Sequence, residues 1–368
     1  MDLGRIGLSE VDSEQSRALM RLTLATFGLI HELLIPVQSW LTGRIVATAD
    51  TDGTANVSKL MGVQAELETK WRDAFRDYRG LLERAREEAA TLPFGALVVR
   101  HNAMMTQALQ ERISTDELVT LVRMWERRRA MALAATAQRT MGDGLVLSQR
   151  IWRLENGGLT QIRALLGSAY AERTNAYALA QQVEGMLGAE QDLPRWTRGR
   201  LYRMTPTERA ESEAGLLRGP ESRGRGVAYN AVRLARTELQ YANHAVTSEI
   251  ARNFPGITGR KVRLSPGHPE SDICDEYAAG GPYDVREEIL PLHPNCMCYY
   301  AEVLMEPQQF AANVRGWIAG DNEFLDGYSN WLGVRDATGL IPFSLTMAQV
   351  FSTWLTGMSD AGLVALRG

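Results

Sequence analysis

The sequence predicts a mainly α-helical protein with one small α+β module near residue 300, and three observations support this fold class. Apolar residues recur every three or four positions through most of the first 200 residues, which is the period of an α-helix. Few segments alternate apolar and polar residues as a half-buried strand does. All three cysteines and three of the five histidines lie between His244 and Cys298, in a segment rich in turn-forming residues.

Residues 1–203 are predicted to form an elongated helical domain. Val63 to Ala90 places apolar residues on one stripe and charges on the other faces, as a long amphipathic helix does. Another helix is expected to begin at the Ser114–Thr115 pair, because either hydroxyl can cap its first turn. Further helices are expected over residues 147–154, 159–169 and 174–187. Gly157 and Gly158 are predicted to separate the first two of these.

The most apolar stretch, Leu22 to Leu41, has about the length of a membrane span. His31, Glu32 and Pro36 interrupt it, and charged or helix-breaking residues are costly in lipid. We therefore expect either a buried helix that ends near the proline or a helix that faces a partner protein, and no membrane segment. The first residues lack the basic and apolar regions of a targeting signal.

Three further regions are predicted after the helical domain. Residues 204–226 combine proline, glycine, serine and charges without periodicity, which indicates a linker. Residues 227–305 are predicted to form a compact helix-plus-hairpin module with Cys/His loops, beginning with a helix over 227–252. Its two short strands are expected at 261–264 and 297–304. Residues 306–368 are predicted to form a helical extension.

Charge and cysteine content exclude some classes of protein. The net charge of −4 gives no overall basic field of the kind that favours nucleic-acid binding. Three cysteines, an odd number in a long chain, indicate a reducing compartment rather than a disulfide framework.

Five side chains of the module carry the soft ligand atoms that zinc prefers. They are His268, Cys274, His293, Cys296 and Cys298. The 18 residues between Cys274 and His293 are a normal separation for a structural zinc site. On a regular strand, Cys296 and Cys298 would point to opposite faces, so both can reach one ion only if the chain turns there. The alternative is that the cysteines are small buried thiols and the histidines are hydrogen-bonded loop residues.

An enzymatic interpretation is a zinc-dependent deaminase-like or nuclease-like protein that acts on nucleic acid. The segment His268-Pro269-Glu270 matches the His-x-Glu half of a zinc deaminase signature, in which histidine binds zinc and glutamate moves protons. The second half should read Pro-Cys-x-x-Cys. This chain has Pro294-Asn295-Cys296-Met297-Cys298, so the proline offset and the cysteine spacing both differ.

Three segments between Ala235 and Leu304 together resemble the conserved C-terminal module of the phage Mu F-like minor head proteins, also called the head morphogenesis family. The helix segment resembles the family's Arg-Thr-Glu helix through Arg236, Thr237, Glu238 and Asn243. The next segment resembles its Asp-x-Cys loop through Asp272, Cys274 and Asp275. The third resembles its His-Pro-x-Cys-Arg-Cys signature through His293, Pro294, Cys296 and Cys298. Met297 stands where the family usually has arginine.

The resemblance implies a minor head protein of a tailed phage and no enzymatic activity. Such a protein lies inside the head at the portal vertex, in few copies, and assists head assembly and genome packaging or ejection. Its expected partners are the portal protein, the major capsid protein or both, with packaged DNA as a further candidate, and its assembly would take place in the host cytoplasm. The motif residues would then be structural. A buried pair of arginine with glutamate or aspartate would fit, with Arg236 and Asp272 or Asp275 as candidates, and a surface salt bridge is the alternative. A phage-delivered toxin is disfavoured, because the 64 residues after Leu304 are too few for a typical catalytic domain.

Overall fold

The computed structural model confirms the predicted fold class. It describes residues 10–109, 128–140, 144–172, 174–188, 226–265, 268, 272–293 and 296–332. The described residues are 74% helical and 7% strand. Residues 114–127 of the helix expected from Ser114, residues 204–225 of the predicted linker, Pro294 and the chain beyond residue 332 lie outside the described residues.

The described helices and strands follow one another in a simple order. Helices α1 and α2 span Val11–Val46 and Val57–Leu109, and residues 128–138 are also helical. Three helices follow, α3 (Leu147–Glu172), α4 (Ala176–Leu187) and α5 (Val227–Asn253). The remaining elements are β1 (Ile257–Arg263), α6 (Ile273–Ala279), β2 (Tyr299–Leu304), α7 (Pro307–Ala319) and α8 (Asp326–Leu332). The predicted helices at 63–90, 174–187 and 227–252 and both predicted strands are thereby confirmed.

Helix α1 continues through Pro36, so the predicted helix end at this proline is wrong. A proline inside a helix removes one backbone hydrogen bond and costs about 3 kcal/mol. Leu34 and Val37 on either side of the proline are buried, and Leu41 is completely buried one turn later. Burial of this apolar face holds the helix together across the proline, since most helical stability in proteins comes from packing.

Helix α1 is also the one described helix that is long and apolar enough to cross a membrane. Its most apolar 18-residue window has a mean hydropathy of 1.5, and 61% of that window is buried inside the protein. A core helix of a soluble protein passes the same test of length and composition. The absence of a membrane segment stays a prediction.

Helix α3 is continuous where the sequence predicted two helices separated by Gly157 and Gly158. The reason is packing against Trp71, which is completely buried. A Cβ on Gly158 would lie 2.6 Å from the Trp71 ring, and the indole nitrogen donates a hydrogen bond of 2.8 Å to the Glu155 carbonyl. The glycine therefore permits two helices to approach closely and does not end either of them.

Replacing Gly158 with alanine should destabilise the protein by about 1–3 kcal/mol, because the new methyl group overlaps the buried Trp71 ring. Gly157 is the matched control, since it is exposed in the same helix and a Cβ there meets nothing within 4 Å. Gly157→Ala should stabilise the protein by up to about 1 kcal/mol through helix propensity alone. Urea unfolding of both variants measures the difference, and equal effects would contradict the packing role of Gly158.

The chain divides into two compact units that are each discontinuous in sequence. One contains residues 1–22, 86–136 and 237–368, and the other contains residues 23–85 and 137–236. In the second unit, the turn before α2 is hydrogen-bonded to the turn before α4, where Ala55 N donates to the Thr174 carbonyl at 3.0 Å. The Asn175 side chain caps the first turn of α4. The predicted boundaries at residues 203, 226 and 305 stay predictions.

The first unit contains the two-stranded antiparallel sheet and all three cysteines. Val262 of β1 pairs with Tyr300 of β2. These two side chains and the three cysteines form a small buried core together with Leu290. The sheet and the cysteines thus share one core, and this core positions the candidate site.

Candidate metal centre

The three cysteine thiols converge from two separate segments of the chain. Cys274 lies in the first turn of α6, and Cys296 and Cys298 lie directly before β2. Their exposed fractions are 0%, 2% and 1%, and none of them forms a disulfide. The Sγ atoms of Cys274 and Cys296 are 3.8 Å apart. Folding therefore concentrates three free thiols in one buried place.

A capping box fixes Cys274 at the start of α6. Asp272 is the N-cap, and its Oδ1 accepts a hydrogen bond of 2.6 Å from the Cys274 backbone N–H. In return, Asp275 Oδ2 accepts a hydrogen bond of 2.8 Å from the Asp272 N–H. This reciprocal pair satisfies two backbone donors and gives the short helix a defined beginning.

Cys296 and Cys298 reach the same place because the chain turns before them. The Cys296 N–H donates to the His293 carbonyl at 3.1 Å, and β2 begins only at Tyr299. The two cysteines therefore precede the regular strand on which they would point to opposite faces. The turn that the spacing requires is present.

Two histidines complete the group of soft ligand atoms. His293 Nε2 lies 3.2 Å from Cys274 Sγ, and His268 Nδ1 lies 3.7 Å from Cys298 Sγ. Ligand atoms of His268, Cys274 and Cys298 all lie within 4.8 Å of one another, and so do those of Cys274, His293 and Cys296. We call these five residues the Cys/His cluster. The cluster could hold a metal ion, and it contains every ligand that the sequence predicted.

Hydrogen bonds among the three thiols shift their pKa values in opposite directions. Hydrogen bonds from Cys274 and Cys298 hold the pKa of Cys296 far below that of a free thiol. The hydrogen bond to Cys296, followed by burial, raises the pKa of Cys274 and of Cys298. Adjacent like charges oppose ionisation, so two thiols keep their protons unless a cation compensates the charge. A bound metal ion supplies that charge and releases the protons.

The distance between the Cys274 and Cys296 sulfur atoms fits a tetrahedral zinc ion. With Zn–S bonds of about 2.3 Å, two thiolates on one tetrahedral ion lie about 3.8 Å apart. The Cys274–Cys296 separation has this value. Three thiolates with an imidazole are a common ligand set of structural zinc.

Residues of the predicted Arg-Thr-Glu helix are buried in α5. Arg236, Thr237 and Glu238 are 5%, 7% and 3% exposed. Glu238 forms an ion pair with Arg86 of α2, with 3.7 Å between Oε2 and Nε. The predicted pair of Arg236 with an aspartate of the Cys/His loop stays a prediction.

Asn243, the last motif residue of α5, connects three helices. Its amide nitrogen donates to the Ala89 carbonyl of α2 at 3.0 Å, and its Oδ1 accepts a hydrogen bond of 3.2 Å from Gln15 of α1. A buried amide with partners on both sides is well suited to fix how helices pack. The structural role implied by the resemblance has a physical basis at this position.

Arg260 of β1 is a structural residue that the sequence analysis missed. It is completely buried, and its guanidinium donates to Ser248 Oγ at 2.8 Å and to the carbonyls of Val285 and Glu287 at 2.6 and 2.5 Å. The guanidinium carbon lies 4.2 Å from the centroid of the Tyr300 ring. The period-two alternation of the strand could have identified it, since Arg260 shares the inward face with Val262.

The third histidine of the cysteine-rich interval, His244, does not belong to the Cys/His cluster. Its ring packs edge-on against Tyr300, with 5.3 Å between the ring centroids. Burial lowers the pKa of His244 to about 4, which keeps the imidazole neutral near pH 7. It acts as a core side chain.

Glu302 of β2 should make stability depend on pH. Burial raises its pKa from 4.5 to about 7, and Arg100 and Arg260 only partly oppose this effect. Because the folded pKa exceeds the unfolded pKa, the stabilising contribution is complete below pH 4.5 and is lost as pH rises through 7. The pKa difference corresponds to about 3 kcal/mol. Urea unfolding at pH 5 and pH 8 should show this loss in the wild type and not in Glu302→Gln; equal losses would contradict the assignment.

Comparison with protein-family models, with curated proteins and with solved structures finds no match for this chain. Function therefore has to be inferred from the sequence motifs and from the geometry of the Cys/His cluster.

Proposed function

We propose that this protein is a structural minor component of a tailed-phage head, and that a zinc ion in the Cys/His cluster staples its C-terminal module. One observation carries the proposal: three buried thiols and two imidazoles come together from separate segments of the chain. The three motifs that resemble the Mu F-like minor head proteins include four of these five ligands.

The ligand set favours a structural role for the ion. Structural zinc sites are closed by four cysteine or histidine ligands, whereas catalytic sites have three protein ligands and one position for water or substrate. The Cys/His cluster offers five ligand residues in two groups of three that share Cys274, and a closed tetrahedral site requires four of them. Thiolate-rich sets also select zinc over the hard cations magnesium and calcium.

The small size of the module explains why it benefits from a metal. Within the described residues its sheet has two strands, and α6 has only 7 residues. An isolated two-stranded sheet is marginally stable in water, and modules with small cores usually depend on disulfides or metals. In a reducing cytoplasm, where disulfides do not persist, a zinc ion is the available crosslink.

The location in the phage follows from the family resemblance alone. It implies few copies inside the head at the portal vertex, with the portal protein and the major capsid protein as partners and packaged DNA as a further candidate. The proposed role is to assist head assembly and genome packaging or ejection.

The test is to find the chain in phage particles and identify its neighbours. Heads purified from a phage that encodes this protein should contain it in a few copies per particle, and chemical crosslinks should connect it to the portal protein rather than to tail proteins. Cys296→Ser should reduce its incorporation, whereas Lys261→Gln, an exposed change in β1, should not. Absence from both proheads and mature heads would refute the proposal.

The enzymatic alternative gives a different result in the same preparation. A zinc-dependent deaminase-like or nuclease-like protein should convert single-stranded or double-stranded nucleic acid, and Cys298→Ser should abolish that turnover. We expect no turnover by the zinc-loaded wild type. Reproducible zinc-dependent turnover would overturn the structural role.

A further inference from the structure

The Cys/His cluster contains two groups of three ligand atoms that share Cys274, one with His268 and Cys298 and the other with His293 and Cys296. A tetrahedral ion bound by all three thiolates would have room for one of the two imidazoles. The signature at the end of the module contains His293, so the motif alone points to this residue as the fourth ligand. The hydrogen bonds of the two rings indicate His268 as the fourth ligand instead.

The two ring nitrogens of His268 face different groups. Nε2 lies 2.9 Å from Asp275 Oδ2, and Nδ1 lies 3.7 Å from Cys298 Sγ. A neutral imidazole has one N–H donor and one lone pair. Donation from Nε2 to the carboxylate leaves the Nδ1 lone pair directed to the thiols, which is the tautomer that a metal requires. Carboxylates hold metal-binding histidines in this manner.

The arrangement at His293 is different, because the same nitrogen faces both a carboxylate and a thiol. Its Nε2 lies 3.1 Å from Asp272 Oδ2 and 3.2 Å from Cys274 Sγ. If Nε2 carries the proton, it donates to the carboxylate and to the sulfur and has no lone pair for an ion. For Nε2 to bind an ion, it would have to lose this proton and both hydrogen bonds, whereas Nδ1 of His268 can bind while Nε2 keeps its hydrogen bond to Asp275. This ring is therefore suited to donate a hydrogen bond.

The distances to sulfur agree with this distinction. A histidine nitrogen and a thiolate on the same tetrahedral zinc ion lie about 3.6 Å apart, given Zn–N and Zn–S bonds of about 2.05 and 2.3 Å. The His268–Cys298 distance of 3.7 Å is close to this value. The His293–Cys274 distance of 3.2 Å is shorter, as a direct N–H···S hydrogen bond is.

We infer that zinc is bound by Cys274, Cys296, Cys298 and Nδ1 of His268, with Asp275 as the positioning residue for His268. His293 remains outside the coordination sphere and donates a hydrogen bond to the Cys274 thiolate. The inference rests on the proposed zinc staple and specifies which residues form it.

A consequence is that the capping box of α6 also supports the metal site. Asp275 Oδ2 accepts hydrogen bonds both from the Asp272 backbone and from His268. Asp272 caps the Cys274 N–H through Oδ1 and contacts His293 through Oδ2. The two carboxylates that begin the helix thus orient both imidazoles, so helix capping and metal affinity should change together.

The test compares His268→Ala with His293→Ala in the full-length chain loaded with cobalt(II) in place of zinc. Wild-type protein should show the intense visible bands of tetrahedral cobalt bound by thiolates. His268→Ala should shift these bands and weaken zinc binding by more than about 100-fold, because it removes a ligand. His293→Ala should keep the spectrum and weaken zinc binding by no more than about tenfold. Asp275→Asn should weaken zinc binding by about 10–100-fold without moving the bands, as loss of a partner that orients a ligand does.

The reverse pattern, or an altered spectrum in both histidine variants, would overturn the assignment. If either variant does not fold, a crystal structure of the zinc-loaded wild type decides instead. It should show Nδ1 of His268 about 2.0–2.1 Å from the ion and His293 Nε2 beyond bonding distance. Wild-type protein that binds no zinc would refute the zinc staple itself, and that result is distinct from zinc held by His293.

Discussion

Replacing Cys296 with serine should abolish stoichiometric zinc binding and unfold the module that contains β1, α6 and β2. Cys296 contacts the Cys274 thiol at 3.8 Å and belongs to the small core that the two strands share. Structural zinc contributes roughly 10–16 kcal/mol to the folding of zinc-finger peptides at pH 7, and such peptides are unfolded without the metal. A two-stranded sheet is marginally stable by itself, so losing even part of this folding free energy should unfold the module.

Elemental analysis gives the zinc content, and hydrogen exchange of the β1 and β2 amides reports the module separately from the long helices. Wild-type protein should contain one zinc ion and protect these amides, and a strong chelator should remove both properties. Cys296→Ser should resemble the chelated wild type and show no further change with chelator. Lys261→Gln in β1 should behave as wild type, because this side chain is exposed. Strands that stay protected after the metal is removed would contradict the prediction.

Replacing Arg260 with methionine should destabilise the zinc-loaded protein by about 3–5 kcal/mol, since it removes a buried charge that donates three hydrogen bonds through its two terminal nitrogens and leaves its partners unpaired. The lost donors serve the Ser248 hydroxyl of α5 and the carbonyls of Val285 and Glu287 in the segment after α6. Arg260→Lys should recover less than half of the loss, because one ammonium group cannot reproduce the planar fork of guanidinium donors.

Urea unfolding at pH 7 with saturating zinc measures this effect apart from metal loss. Lys261→Met is the matched control, because it removes a positive charge from the neighbouring exposed position of the same strand. Its effect should lie within about 0.5 kcal/mol of zero. If Arg260→Met lowers the free energy of unfolding by less than about 1 kcal/mol, the buried guanidinium is not what connects α5 to the segment around residue 286.

Helix periodicity predicted most of the fold, and its two failures have a common cause. The sequence predicted ends at Pro36 and at Gly157–Gly158, because proline and glycine are unfavourable in an isolated helix. In the structure, burial of Leu41 and Trp71 overrides these local preferences. Contacts with residues distant in sequence decide such cases, and the period of the apolar residues does not reveal them.

The residue types of the candidate site were determined by the sequence alone. Thiols and imidazoles within one short segment, with a turn before Cys296, are sufficient to predict a metal-ligand set. Which nitrogen of each imidazole faces the thiols was decided only by the tertiary structure. That orientation depends on Asp272 and Asp275, whose carboxylates reach the rings because α6 begins between the two histidines.

The sequence by itself determined a helical protein with a cysteine- and histidine-rich module, because periodicity and residue chemistry are local properties. Only the tertiary structure decided that Arg260 is buried beneath Tyr300 and that Gly158 is a packing contact. It also brought Cys274 to the two cysteines before β2. The physical reason is that burial and coordination depend on distances between groups far apart in the chain, and those distances are set by how the whole chain packs.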